Sequence, residues 1–82
     1  MINVLFFGQL KESLQCENSQ LAIDKPITIA QLKELLVEKN PSWEKYLFDK
    51  QLLVAVNQSM CSSLQLVCAG DEVALFPPVT GG

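Results

Sequence analysis

The sequence contains no histidine and no arginine, and each absence removes a class of chemistry. Without histidine there is no Ser-His or Cys-His nucleophile pair, and the commonest general base near neutral pH is missing. Cysteine is scarce as well. Cys16, Cys61 and Cys68 are odd in number and lack Cys-x-x-Cys spacing, so neither a disulfide framework nor a zinc site is expected. They read as small buried hydrophobes in a reducing cytosol. Six lysines against nine acids leave a net charge of −3. That excludes a nucleic-acid partner from the expectation, because counterion release needs clustered cations. The six lysines read as a solvated surface. Met1 to Phe7 has no cationic region, and its apolar run is too short for a signal peptide or a membrane span. No membrane contact and a soluble, cytoplasmic protein are expected.

What is present is dense apolar patterning, 49% of 82 residues, which a domain of this size needs to assemble one core. Ile2-Asn3-Val4-Leu5-Phe6-Phe7 is β-branched and aromatic on both faces and predicts a central strand closed by Gly8. Lys11 to Cys16 is polar and irregular, with room for one helical turn. Gln20 to Ile23 is a weaker strand ended by Asp24-Lys25-Pro26. Thr28 and Gln31 have capping-box spacing, and Ile29, Leu32, Leu35 and Leu36 share one face. Asn40-Pro41 stops this helix, whose length of about 18 Å crosses one face of a small sheet. Ser42 is placed to cap a short second helix through Tyr46, with Trp43 and Leu47 facing inward. Leu52 to Val56 predicts a strand that turns at Asn57-Gln58 into Ser59-Met60-Cys61. Leu64 to Val67 is a short extended piece, and Gly70-Asp71 turns into a final strand, Glu72 to Phe76. The order predicts an α+β fold, a mixed sheet with one crossover helix over residues 1–76.

Behind that strand the chain reads Pro77-Pro78-Val79-Thr80-Gly81-Gly82, a flexible tail ending in a carboxylate on two glycines. With glycine at about 7% of residues, such a pair ends only about 0.5% of chains by chance. A Gly-Gly tip is the thinnest peptide that can enter a narrow active site, and it accepts backbone angles other residues refuse. The two prolines favour an extended stem. From Phe76 to Gly82 that stem reaches about 20 Å. The pattern points to a carboxylate presented to another enzyme.

The whole chain resembles the ubiquitin-like β-grasp proteins, and within them the small, sulfur-carrier subunits of molybdopterin synthase. The likeness rests on Val4 to Glu12, Thr28 to Leu32, Val54 to Gln58 and, most specifically, Gly70 to Gly82. Lys11 stands where the family often carries arginine, and Cys68-Ala69 is less acidic than is usual before Gly70. The resemblance implies a cycle at Gly82. An ATP-dependent, E1-like adenylating enzyme activates the carboxylate, and a sulfur donor converts it to a thiocarboxylate. The tail then enters the large catalytic subunit of a heterotetrameric synthase, which transfers sulfur to a pterin precursor to build the dithiolene of the molybdenum cofactor. The carrier itself would bind no cofactor or metal, and nucleotide would act on it only through the activating enzyme. Same-mechanism and different-class alternatives are a sulfur carrier of thiazole biosynthesis and a ubiquitin-like protein modifier conjugated through Gly82.

Gly82 is therefore the expected reacting residue and Gly81 its means of access. Phe76, Pro77, Pro78, Val79 and Thr80 form the expected partner-binding stretch, with Phe76 equally suited to the core. Phe7 is a further partner-binding residue in this reading, although phenylalanine is more often buried. Asp71 and Glu72 read as a solvated turn rather than a catalytic pair.

Overall fold

The computed structural model describes residues 1–77. In chain order the elements are β1 (Ile2–Phe6), α1 (Gly8–Leu14), β2 (Asn18–Leu21), β3 (Ile27–Thr28) and α2 (Ile29–Lys39). A 3-10 turn (Pro41–Trp43) then leads to α3 (Glu44–Leu47), β4 (Leu53–Val56), β5 (Ser59–Met60), β6 (Leu66–Val67) and β7 (Glu72–Phe76). The main sheet has the order β2-β1-β7-β4-β5, and β3 pairs with β6 in a separate ribbon. β1 and β7 run parallel, and the other pairs are antiparallel. The first strand is central, as its two apolar faces predict.

The core lies between this sheet and α2. Ile2, Val4 and Phe6 of β1, Val73 and Leu75 of β7, and Ile29, Leu32 and Leu36 of α2 are all buried. Phe6 meets Trp43 edge-to-face with ring centroids 5.4 Å apart, the geometry that aligns an aromatic edge with a neighbouring ring face. Trp43 and Leu47 point inward as expected, but no side chain caps α3. The 3-10 turn that Pro41 begins supplies its entry instead.

α2 starts on a complete capping box. The Gln31 N–H donates to Thr28 Oγ1 at 3.1 Å, and the Thr28 N–H donates to Gln31 Oε1 at 2.9 Å. Thr28→Ala removes the first bond and is expected to lower stability by about 1 kcal/mol, read as a lower urea midpoint at unchanged slope. The Asn57-Gln58 turn has positive φ at both residues, 49° and 72°, as a tight hairpin between right-twisted strands requires.

Four sequence expectations are corrected. Residues 8–14 form a two-turn helix where only one turn within Lys11–Cys16 was expected, because Leu10 and Leu14 both reach the core. β2 begins at Asn18, not Gln20, since pairing with β1 sets Leu21 opposite Ile2 and carries polar Asn18 and Ser19 into the ladder. No cysteine is fully buried: Cys16 and Cys61 are half-buried and Cys68 is exposed in the turn before Gly70. Lys33 does not belong to the solvated surface, because the flank of α2 that carries it is covered.

Candidate functional site

β7 is the element that would carry a tail, and it is held on both sides. β1 pairs with it from Asn3↔Glu72 to Phe6↔Leu75, and β4 from Val56↔Val73 to Leu53↔Phe76. Its inner residues, Val73 and Leu75, are inaccessible to solvent. A chain leaving Phe76 therefore departs from one of the most constrained strands in the molecule.

The start of β7 is fixed by a knot of hydrogen bonds between two turns. The Cys68 N–H donates to Asp71 Oδ2 at 2.8 Å, and Asn57 Nδ2 donates to Asp71 Oδ1 at 3.1 Å. The Glu72 N–H donates to Asn57 Oδ1 at 3.0 Å, and the Asn57 N–H returns to the Glu72 carbonyl at 2.8 Å. Gly70, at φ 97°, supplies the left-handed step that lets the chain double back here. These bonds favour the carboxylate and hold the Asp71 pKa below its ordinary value, the Cys68 amide contributing most and Asn57 next. A depressed carboxylate pKa contributes stability that is present above the unfolded-state value and is lost as pH falls through the folded-state value. As pH falls through the carboxylate range the parent should thus lose stability more steeply than Asp71→Ala. Urea midpoints across that range measure it, and parallel curves for the two proteins would contradict the assignment.

On the sheet face turned away from α2, alternation and register bring apolar residues together. Leu5, Ala74, Ala55 and Met60 pair in one row across four strands. Phe76 pairs with Leu53 in the next row, beside Phe7, whose N–H donates to the Leu75 carbonyl at 3.1 Å. Phe7 is 48% and Met60 58% exposed, while Leu5, Leu53 and Phe76 are half-buried. This apolar patch, bordered on the same face by Asn3, Asn18 and Glu72, is characteristic of interaction surfaces. Phe7 is thus exposed rather than core: β1 ends at Phe6, and Phe7 leaves the strand on the outer side to cap α1.

Pro77 continues from this face and is half-buried. Its ring would lie 3.5 Å from a Cβ placed on Gly8, so the base of the tail rests against the start of α1. Beside it lies a pocket of about 170 Å³ walled by Leu10, Tyr46 and Leu52, with Gln9, Ser13 and Asp49 at its rim. The remaining expected residues, Pro78, Val79, Thr80, Gly81 and Gly82, lie outside the described residues, as does the expected flexibility of the tail.

Sequence reasoning missed Leu5, Leu53 and Met60. Their signal was available in the two-faced apolar character of the first strand and in the parity that places Leu5 and Phe7 on one side. Among the described residues no group of three or more His, Cys, Asp or Glu could hold a metal ion. Burial pushes the Cys61 thiol up, away from the reactive thiolate. No helix among the described residues is long and apolar enough to cross a membrane.

A mixed sheet grasping one principal helix, with the last strand in its interior, is the ubiquitin-like β-grasp fold. A crystal structure of SAMP1 from Haloferax volcanii matches it with a TM-score of 0.85 at 28% identity, over 99% of this chain and 98% of that one. The chain belongs to the ThiS family, whose model matches residues 4–82. It is 43% identical over 82 residues to the molybdopterin synthase sulfur carrier subunit of Escherichia coli strain K12, covering 100% of both chains. A chain in the complex of subunits 1 and 2 of molybdopterin-converting factor from Helicobacter pylori 26695 matches with a TM-score of 0.66 at 29% identity, over 99% of this chain and 97% of that one.

Proposed function

We propose that this chain is the sulfur-carrier subunit of a cytoplasmic molybdopterin synthase and that Gly82 carries the sulfur. The observation that carries the reading is the 43% identity to a sulfur carrier subunit along the full length of both chains. The position of β7 supports it, because a central strand can aim a tail from a rigid base. In the first step a Gly82 carboxylate oxygen attacks the α-phosphorus of ATP on an E1-like enzyme, and pyrophosphate leaves. A donor sulfur at the oxidation level of sulfide then displaces AMP, so that a C–S bond replaces the acyl C–O bond. In the large subunit the thiocarboxylate sulfur passes to a pterin precursor, and a water oxygen returns Gly82 to the carboxylate. The carrier needs no base for any of these steps, which fits a chain without histidine. Acid–base groups belong to the partners. The apolar outer face, with Phe7, Phe76 and Pro77 beside the tail, is the docking surface, and Pro78, Val79 and Thr80 complete the contact inside the partner.

The test uses chemically thiocarboxylated chain, the large subunit and the pterin precursor. Conversion to dithiolene product is expected, and its absence would remove the pterin assignment. Phe7→Lys should bind the large subunit about tenfold or more weakly, as loss of an aromatic anchor does. Its stability should stay within about 0.5 kcal/mol of the parent, because Phe7 is exposed. A second reading, conjugation to other proteins through Gly82, draws on the likeness to SAMP1, a small archaeal modifier protein. Covalent lysine adducts of this chain in cells would favour it.

A further inference from the structure

The underside of α2 holds a lysine that the sulfur-carrying reading does not use. Lys33 is 8% exposed, and burial alone lowers its pKa, with no carboxylate contributing. Its aliphatic stem is covered, but among the described residues no side-chain nitrogen is both buried and without a hydrogen-bond partner, so the ammonium keeps contact with water and can meet a counter-charge from solution. Lys33 lines a cavity of about 330 Å³ between the first turns of α2 and the Phe48–Val54 segment, a volume within the ordinary range of small-molecule sites.

The chemistry of the walls is divided. Lys50, Ser62 and Ser63 join Lys33 on the polar side. Ser62 Oγ accepts the Leu64 N–H at 3.2 Å, which leaves its hydroxyl proton free to donate. Phe48, Leu52 and Val54 form the apolar side. Asp49 also borders the cavity, and its Oδ1 accepts the Gln51 N–H at 2.9 Å. Cys61, the remaining titratable group at the wall, is held protonated by burial.

We infer that this cavity binds a small organic oxyanion, a phosphomonoester or carboxylate, whose charged end pairs with Lys33 and whose apolar body rests on Phe48 and Leu52. Lys50 and the Ser62 hydroxyl complete the charge-assisted contacts to the head group. The site lies on the helix-covered side of the sheet, opposite the apolar face assigned to partner docking, and shares Leu52 and Asp49 with the pocket beside Pro77.

The experiment titrates the isotopically labelled full chain at neutral pH with phenyl phosphate, benzoate, inorganic phosphate and benzyl alcohol. Chemical shifts are followed at the Lys33 side chain and at the Ser62 and Ser63 amides. Saturable shifts at these positions with phenyl phosphate or benzoate are expected, with inorganic phosphate weaker and benzyl alcohol without effect at Lys33. The stronger of the two aromatic anions identifies the head group. Lys33→Met should melt close to the parent temperature, since methionine keeps the covered aliphatic stem, and should bind about tenfold or more weakly, the loss of one charge-assisted contact. Lys33→Gln provides a second folded variant with the same expected loss. Shifts that never saturate, that survive both substitutions, or that benzyl alcohol reproduces at Lys33 would overturn the inference.

Discussion

A chain lacking Gly82 is expected to form no thiocarboxylate, while its melting temperature should stay that of the parent. The reacting carboxylate then sits on Gly81, one residue short, a displacement of about 3.3 Å along an extended tail. Misplacement of about 1 Å at a reacting centre already costs on the order of 100-fold, so loading should fall below detection. Adding a single residue after Gly82 displaces the carboxylate equally far in the other direction and should be as damaging. Stability is unaffected because the core is closed by β7, and its last buried residue is Leu75. Normal loading of the shortened chain would show that the activating enzyme does not measure tail length.

Gly81→Val should block function at two stages without unfolding the domain. Valine adds a branched Cβ and closes the positive-φ region that glycine enters freely. A channel shaped for bare backbone then rejects the tip. Gly81 follows the last strand by several residues, so stability should stay within about 0.5 kcal/mol of the parent. ATP–pyrophosphate exchange with the activating enzyme should fall by about 100-fold, the cost of an ill-placed carboxylate. Pterin conversion by chemically thiocarboxylated variant should fall similarly, because the large subunit must admit the same tip. A variant that melts like the parent and performs normally in both assays would mean that the tip is not read by its shape.

Much of the fold was legible because the decisive signals are local. The Thr28–Gln31 box, the Ile29-Leu32-Leu36 stripe and the Asn40-Pro41 stop define α2 from adjacent residues alone. The two apolar faces of Ile2 to Phe7 place that strand in the sheet interior. Expectations failed where a distant segment decides the outcome. α1 has only Leu10 and Leu14 to mark its inner face, and its helix forms because both side chains reach a core built from later strands. The start of β2 depends on pairing with β1, which overrides the weak strand preference of Asn18 and Ser19. Lys33 follows Ile29 by one helical turn and looks like the polar edge of an amphipathic helix until the Phe48–Val54 segment folds over it. The same limit applied to the site. The sequence marked Phe76 and Pro77 through their nearness to the tail, whereas Leu5, Leu53 and Met60 join them only through sheet register. The Asp71–Asn57 knot links turns fourteen residues apart, a pairing that neither turn announces by itself.

If Gly82 carries the sulfur, the chain must exist in a form with sulfur at its C-terminal carboxyl group. Intact-mass measurement of the full chain after incubation with the E1-like enzyme, ATP and a sulfur donor tests it most directly. A single mass increase matching the exchange of one oxygen for sulfur is predicted, located by fragmentation to Gly82 and dependent on ATP. An unchanged mass with an active enzyme, or a sulfur addition located at Cys16, Cys61 or Cys68 instead, would rule out Gly82 as the sulfur carrier.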